Sequence, residues 1–363
     1  MASYSSMKLA GSRPLAAGAP HTMVRAWLMG VALLVFAMIV VGGATRLTDS
    51  GLSITEWQPI IGAIPPMNKA HWLEAFDKYK QIPEYQEINK GMSLEAFKSI
   101  YWWEWSHRFL GRFIGLAFAL PLLIFWVLGR IPRGFGGKFL TVLALGGLQG
   151  GIGWFMVTSG LVDRVDVSHY RLAMHLGTAF LILGALIWLA EELRPADATI
   201  RLDPISAGHL RFARILAAVL FVQVLLGALV AGLKAGLTYN TWPLMDGRFI
   251  PNGLFTLAPW YENFFENITT VQFDHRMMAY FVAGLAAWHL FQLRGTADGR
   301  LTVSAAALLI AILAQMGLGI WTLLSAQGSI PIGLGLAHQG GGAVVFAIAV
   351  WHLHRISRSP ARH

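Results

Sequence analysis

The chain is 363 residues long, 55% apolar and 13% charged, and contains no cysteine. That balance excludes an ordinary soluble globular protein, and the missing thiols exclude disulfides, thiolate metal ligands and Cys-linked haem attachment. The formal charge of +9 follows the alternation of loops described next and gives no reason to expect nucleic acid.

Residues 1–24 are polar and rich in Gly, Ala and Ser, which predicts a disordered tail. They do not read as a cleaved signal, because the first apolar stretch is of full spanning length and lacks a small-residue cleavage site. Eight stretches long enough for a roughly 30 Å hydrocarbon core follow, at about 25–45, 108–129, 138–158, 171–190, 212–233, 274–294, 301–324 and 332–353. Lys and Arg concentrate before the first stretch, in the even-numbered connections and at the C-terminus, as with Arg130, Arg133, Arg211, Arg214, Arg294 and Arg355. This predicts cytoplasmic termini, with an anionic lipid leaflet as the partner of those side chains.

Internal similarity supplies the organisation. The first span ends GGATRLTDSGLS (42–53), with Trp57 and Pro59 downstream, and the fifth ends GALVAGLKAGLT (227–238), with Trp242 and Pro243 downstream. The third span carries Gln149 then Gly153, and the seventh Gln315 then Gly319. The expected architecture is an all-α polytopic membrane protein. Its eight transmembrane helices form two four-helix bundles, 25–195 and 212–355, joined by a linker (196–211), with a tail at 356–363. Both bundles begin with an outward-running helix, so the pseudo-twofold axis lies along the membrane normal.

His107 and His175 are 68 residues apart, and His275 and His338 are 63 apart. The first of each pair sits in a matching context, EWSHRFLG (104–111) and FDHRMMA (273–279). All four fall at the same end of alternate spans. Both pairs are therefore expected near the outer face, under the long connections 46–106 and 234–273, which are expected to fold down as lids. A single imidazole in hydrocarbon is more readily a hydrogen-bonded core residue, but two pairs at like spacing and one depth point to ligation. Two facing histidines suit a six-coordinate haem iron, whereas zinc takes three or four protein ligands.

Arg108 and Arg276 stand beside the ligands, where they can pair with propionates or snorkel to the interface. Gly111, Gly115, Gly177 and Gly340 to Gly342 allow close helix approach and leave room for a flat ring. Trp102, Trp103 and Trp105 read as an interfacial belt. Glu104 lies three residues before His107 and so shares its face, whereas Gln272 holds that place before His275, with Asp274 next to it. An acid confined to one half predicts that this half reacts and the other serves it. Of the remaining histidines, His21 and His363 are terminal; His71, His169 and His209 are expected in loops, with His169 kept in reserve; His289, His352 and His354 are expected at inner helix ends, reaching water. Two rival readings share this frame: a non-catalytic dihaem b-type electron-transfer cytochrome, and a parallel-repeat transporter, which would place its polar residues at midplane.

Along its whole length the chain resembles the haem A synthase family. The resemblance is carried by GGATRLTDSGLSITEWQPIIGAIPP (42–66), YWWEWSHRFLGR (101–112), the segment around His175, LVAGLKAGLTYNTWPLMDG (229–247), FDHRMMAYF (273–281) and LAHQGGGAVVF (336–346). It implies a membrane oxidoreductase that oxidises a ring methyl of haem O, through a hydroxymethyl stage, to the formyl group of haem A for haem-copper oxidases. It implies a resident haem b on His275 and His338, with Arg276 beside it, and substrate haem O near His107 and His175, with Glu104 in the essential acidic position. The absence of cysteine matches the Cys-free branch of proteobacteria and mitochondria. Expected partners are haem O synthase, oxidase assembly factors and an unidentified electron donor or acceptor in the bacterial inner membrane; a homo-oligomer is compatible with all of this.

Overall fold

The computed structural model describes residues 19–162, 164–195, 206–296 and 299–359. The tail expected over residues 1–24 lies mostly outside them, as does most of the 196–211 linker and the end of the C-terminal tail. Eight long helices carry the fold: α1 (Ala19–Leu47), α3 (Leu94–Val127), α4 (Gly136–Thr158), α5 (His169–Glu192), α6 (Ala207–Gly232), α8 (Ile268–Leu293), α9 (Gly299–Leu324) and α10 (Ile332–Ser357). The shorter α2 (Lys69–Tyr79) and α7 (Asn263–Glu266) lie in the two long connections. Among the described residues there is no strand, only an isolated bridge between Met245 and Arg248.

Seven of the long helices are long and apolar enough to cross a membrane. The helix α8 is as long as its neighbours but carries Gln272, Asp274, His275 and Arg276 in its first turns, which lowers its apolarity. Chain entry into α3 differs from expectation. Its first residues, Leu94 to Tyr101, lie ahead of the apolar stretch and are helical because Phe97 and Tyr101 pack with Phe76 and Tyr79 of α2 in a separate apolar cluster. Ser93 caps this helix by accepting from the Ala96 N–H.

Helices α1, α5, α6 and α10 form the centre: α1 packs on α5 and α10, α6 on α5 and α10, and α5 on α10. On one side α3 packs against α1 and α4, and α4 against α5; on the other α8 packs against α6 and α9, and α9 against α10. Thus α3 and α5 occupy opposite corners of one group of four, and α8 and α10 opposite corners of the other. Close central packing uses small residues. A side chain at Gly177 would meet Leu225 and Phe221 of α6, and one at Gly340 would meet Val40 and Phe36 of α1. These two glycines therefore serve helix contacts, and the expectation that they leave space for a flat ring does not describe them.

At the end with the long connections, α1 and α6 each run out into a left-handed residue, Asp49 (φ 45) and Lys234 (φ 52). Both join an ion cluster that ties the two sides: Arg46 to Asp49 and Asp166 at 3.1 and 3.2 Å, and Lys234 to Asp166 at 3.1 Å.

Candidate functional site

Each of the four expected histidines lies on a corner helix, half-buried, with its ring against a glycine of the adjacent helix. A Cβ at Gly153 of α4 would stand 2.9 Å from His175 Cε1, one at Gly319 of α9 2.7 Å from His338 Cε1, and one at Gly227 of α6 3.1 Å from His275 Cε1. A Cβ at Gly42 of α1 would stand 3.1 Å from His107 Nε2. His107 and His175 are close enough to interact electrostatically, as are His275 and His338. The fold therefore brings together the pairs that the spacing suggested. Three rings are also held by glutamines: Gln149, Gln223 and Gln315 approach Nδ1 of His175, His275 and His338 at 3.2, 3.2 and 2.9 Å.

Glu104 is 2% exposed and its carboxylate is fully used. Oε2 accepts from the Ser53 hydroxyl at 2.7 Å and the Ile54 N–H at 2.6 Å; Oε1 accepts from Arg108 Nε and Nη2 at 3.0 and 2.6 Å. Arg108 also donates to the carbonyls of Ile54 and Glu56, and Arg112, one turn on, to those of Gln58 and Pro59. Residues 53–59 are thereby laced to α3 by three charged side chains. Gln272, Arg276 and Tyr280 on α8 repeat the pattern at the same spacing: Gln272 and Arg276 donate to the Tyr239 carbonyl, Arg276 also to that of Thr241, and Tyr280 accepts from the Trp242 indole. Both arginines are thus engaged by loop backbone; Arg276 Nε, buried and without a partner, remains to bind.

The first long connection contains a second buried acid. Glu84 sits beside Tyr79 and Asn89, 5% exposed, with Oε2 unpartnered. Burial, with the Glu104 charge adding to it, pushes its carboxyl up to about 8.

The expectations for six of the other histidines are corrected. His289 and His352 do not reach water: they are 0% and 1% exposed and joined Nε2 to Nε2 at 2.9 Å, with Phe212 stacked on His289 and Ser304 on His352 Nδ1 at 2.8 Å. His354 is also buried, edge-on to Trp188. His169, expected in a loop, is the first residue of α5, buried, with Nε2 3.4 Å from Glu266 Oε1; His71 and His209 lie in α2 and α6.

Gln223, Arg112 and the His289–His352 pair escaped sequence reading. Gln223 precedes Gly227 by four residues, as Gln149 precedes Gly153, so the repeat contained the signal. His289 and His352 each follow a paired histidine by 14 residues on the same helix, a second regularity.

Chemically, each group of four offers two imidazoles on opposing corners, backed by glycines whose lack of a Cβ admits the rings. That donor set and cradle fit the two axial ligands of a haem in each. Among the described residues no cluster of three or more His, Cys, Asp or Glu is placed to hold a metal ion directly.

Residues 25–350 match the COX15-CtaA model, described as cytochrome oxidase assembly protein. A heme A synthase of Parvibaculum lavamentivorans is 54% identical over 340 residues, covering 94% of this chain and 96% of that protein. Heme A synthases of Mesorhizobium japonicum and Nitrosomonas eutropha are 52% and 50% identical, with at least 90% of each protein covered. The chain belongs to the cytochrome oxidase assembly family that includes these heme A synthases.

Proposed function

We infer that the chain is a haem A synthase, a membrane oxidoreductase that converts haem O to haem A for haem-copper oxidases. The observation that carries this is the pair of glycine-backed histidine sets on opposing corner helices, in a chain of this family. Haem O is the substrate of the first group of four, taken by His107 and His175. His275 and His338 would hold haem b, with Arg276 beside His275; when bound, that group supplies one-electron redox chemistry. Glu104, one turn from His107, binds Ser53, Ile54 and Arg108 through its carboxylate and so seats residues 53–54 beside the substrate site. The apolar residues around the histidines exclude solvent, and the loop-lacing arginines hold the long connections over the site.

The same reading makes the eight long helices two bundles, 25–195 and 212–355, related by duplication about an axis along the membrane normal. The distribution of Lys and Arg supports cytoplasmic termini in a bacterial inner membrane, with the histidine pairs towards the outer face. Haem O is too apolar to travel through water, which supports direct transfer from haem O synthase and onward delivery to oxidase assembly factors. An electron acceptor completes the oxidation.

The test is to purify the protein expressed with and without haem O synthase and to identify the extracted tetrapyrroles by chromatography and mass. Haem B alone without the synthase, and haem A or its hydroxymethyl precursor with it, is the expected result. Haem B alone in both preparations, filling both pairs, would overturn the reading in favour of an electron-transfer cytochrome.

A further inference from the structure

Three of the four histidines are tied twice by a glutamine, and the fourth is not tied at all. Gln149, Gln223 and Gln315 each lie one turn before the glycine that backs the ring. Their Nε2 atoms reach Nδ1 and also donate to the backbone carbonyl of the same histidine, at 3.0, 3.1 and 2.6 Å. Each Oε1 is buried without a partner; turning the amide over would exchange these two ties for one, an acceptor to Nδ1–H that leaves Nε2 of the ring free to ligate. The residue four before Gly42 is Met38. Its Cε lies 3.3 Å from where a Cβ on Gly111 would be, beside the turn that follows His107. A thioether donates no hydrogen bond and accepts only weakly. Among the described residues His107 makes no hydrogen bond, and its ring is reversed: Nε2 and Cδ2 face Gly42, where the other three rings turn Cε1 and Nδ1 to their glycines.

We propose that Met38 is a positioning residue that makes His107 the releasable ligand of the four. This rests on the reading that each pair holds a tetrapyrrole. A substrate must enter and a product leave at every turnover, whereas a resident cofactor must stay, and the ties follow that division. Both ligands of the second pair are locked, His175 keeps the substrate in register, and His107 can swing away.

Carbon monoxide binds a six-coordinate ferrous haem only after one axial ligand leaves, so its rate of uptake reads ligand release directly. In full-length protein co-expressed with haem O synthase and reduced, the first-half haem is expected to take up carbon monoxide while haem b does not on the same timescale. Met38→Gln is expected to slow first-half uptake about tenfold, equivalent to about 1.4 kcal/mol, the scale of one or two net hydrogen bonds. The reciprocal Gln223→Met is expected to make haem b take up carbon monoxide at least roughly tenfold faster. Because the two variants move opposite sites in opposite directions, either one that folds is decisive, and general loosening cannot imitate the pair. Unchanged uptake in either variant that folds with both haems present would overturn this proposal alone. Absence of tetrapyrrole from the first half of the wild type would overturn the functional reading and this proposal with it.

Discussion

Removal of the Glu104 carboxylate separates the two things it does. Glu104→Ala deletes the acceptor for Ser53, Ile54 and Arg108 together, orphaning the Ile54 N–H and leaving Arg108, whose side chain is 17% exposed, without its counter-charge. Breaking a fully buried pair costs about 3–5 kcal/mol. Arg108 keeps the Ile54 and Glu56 carbonyls and some water, so the lower end, about 3 kcal/mol, is expected for local opening of residues 48–62, roughly a hundredfold more open segment. Glu104→Gln keeps an acceptor for Ser53 and Ile54 but turns its NH2 toward the Arg108 donors, so both charge-assisted bonds to Arg108 are lost, at a cost of about 1.5–3 kcal/mol. Hydrogen exchange of peptides spanning 48–62 in lipid nanodiscs measures both. Unchanged protection in Glu104→Ala would show that other contacts hold the segment and would refute the clamp. Haem A output then separates the roles: equal loss in both variants assigns the need to the charge, and loss in Glu104→Ala alone assigns it to the seated segment.

Gly319→Ala places a Cβ 2.7 Å from His338 Cε1; the ring must move, so the variant is expected to fold but to purify with a haem b to protein ratio well below that of the wild type. Gly115→Ala, where a Cβ meets nothing within 4 Å, is the control expected to keep it. Glu84 makes the first long connection pH-dependent: its folded carboxyl titrates at about 8, above the unfolded value, so the folded segment keeps a proton that the unfolded one releases. Its stability is therefore full below about pH 4.5, falls as pH rises to about 8 and is level beyond; protease resistance of residues 69–101 against pH reads this, and a Glu84→Gln variant with the same slope would refute it. His352→Leu strands His289 in a site that is 0% exposed and should cost about 1–3 kcal/mol in thermal unfolding, with His289→Leu/His352→Leu costing less than either single change.

Helix positions were legible because hydrocarbon-length apolar runs admit little else, and the ends at Leu47, Thr158, Gly232 and Leu324 fall within a few residues of the reading. The start of α3 was not, because the force that makes Leu94–Tyr101 helical is packing on α2, which no local pattern records. The histidine pairs were legible through repetition. The task of Glu104 was legible only in its face: that Ser53 and Ile54 take its carboxylate depends on the path of a loop, which sequence periodicity does not encode. His289 and His352 are not legible one at a time, since a lone histidine near a helix end carries no pattern; their shared spacing from the paired histidines is the signal.

The departures between the two sides run in one direction. Where α8 and α10 carry His289 and His352, 14 residues past His275 and His338, α3 and α5 carry Pro121 and Leu189 at the same distance from His107 and His175. The second side is cross-linked there by a buried hydrogen bond, with Ser304 of α9 tied in. The first has two apolar residues at those places, one of them a proline that removes a backbone hydrogen bond from the interior of α3. Gln223 ties a ring where Met38 does not, and uncharged Gln272 stands where Glu104 carries charge. Duplication would supply two equal sites. A catalyst needs them unequal, since a cofactor site gains from rigidity and a substrate site must open at each turnover. On the proposed assignment every one of these differences stiffens the side of haem b and loosens or charges the side of haem O.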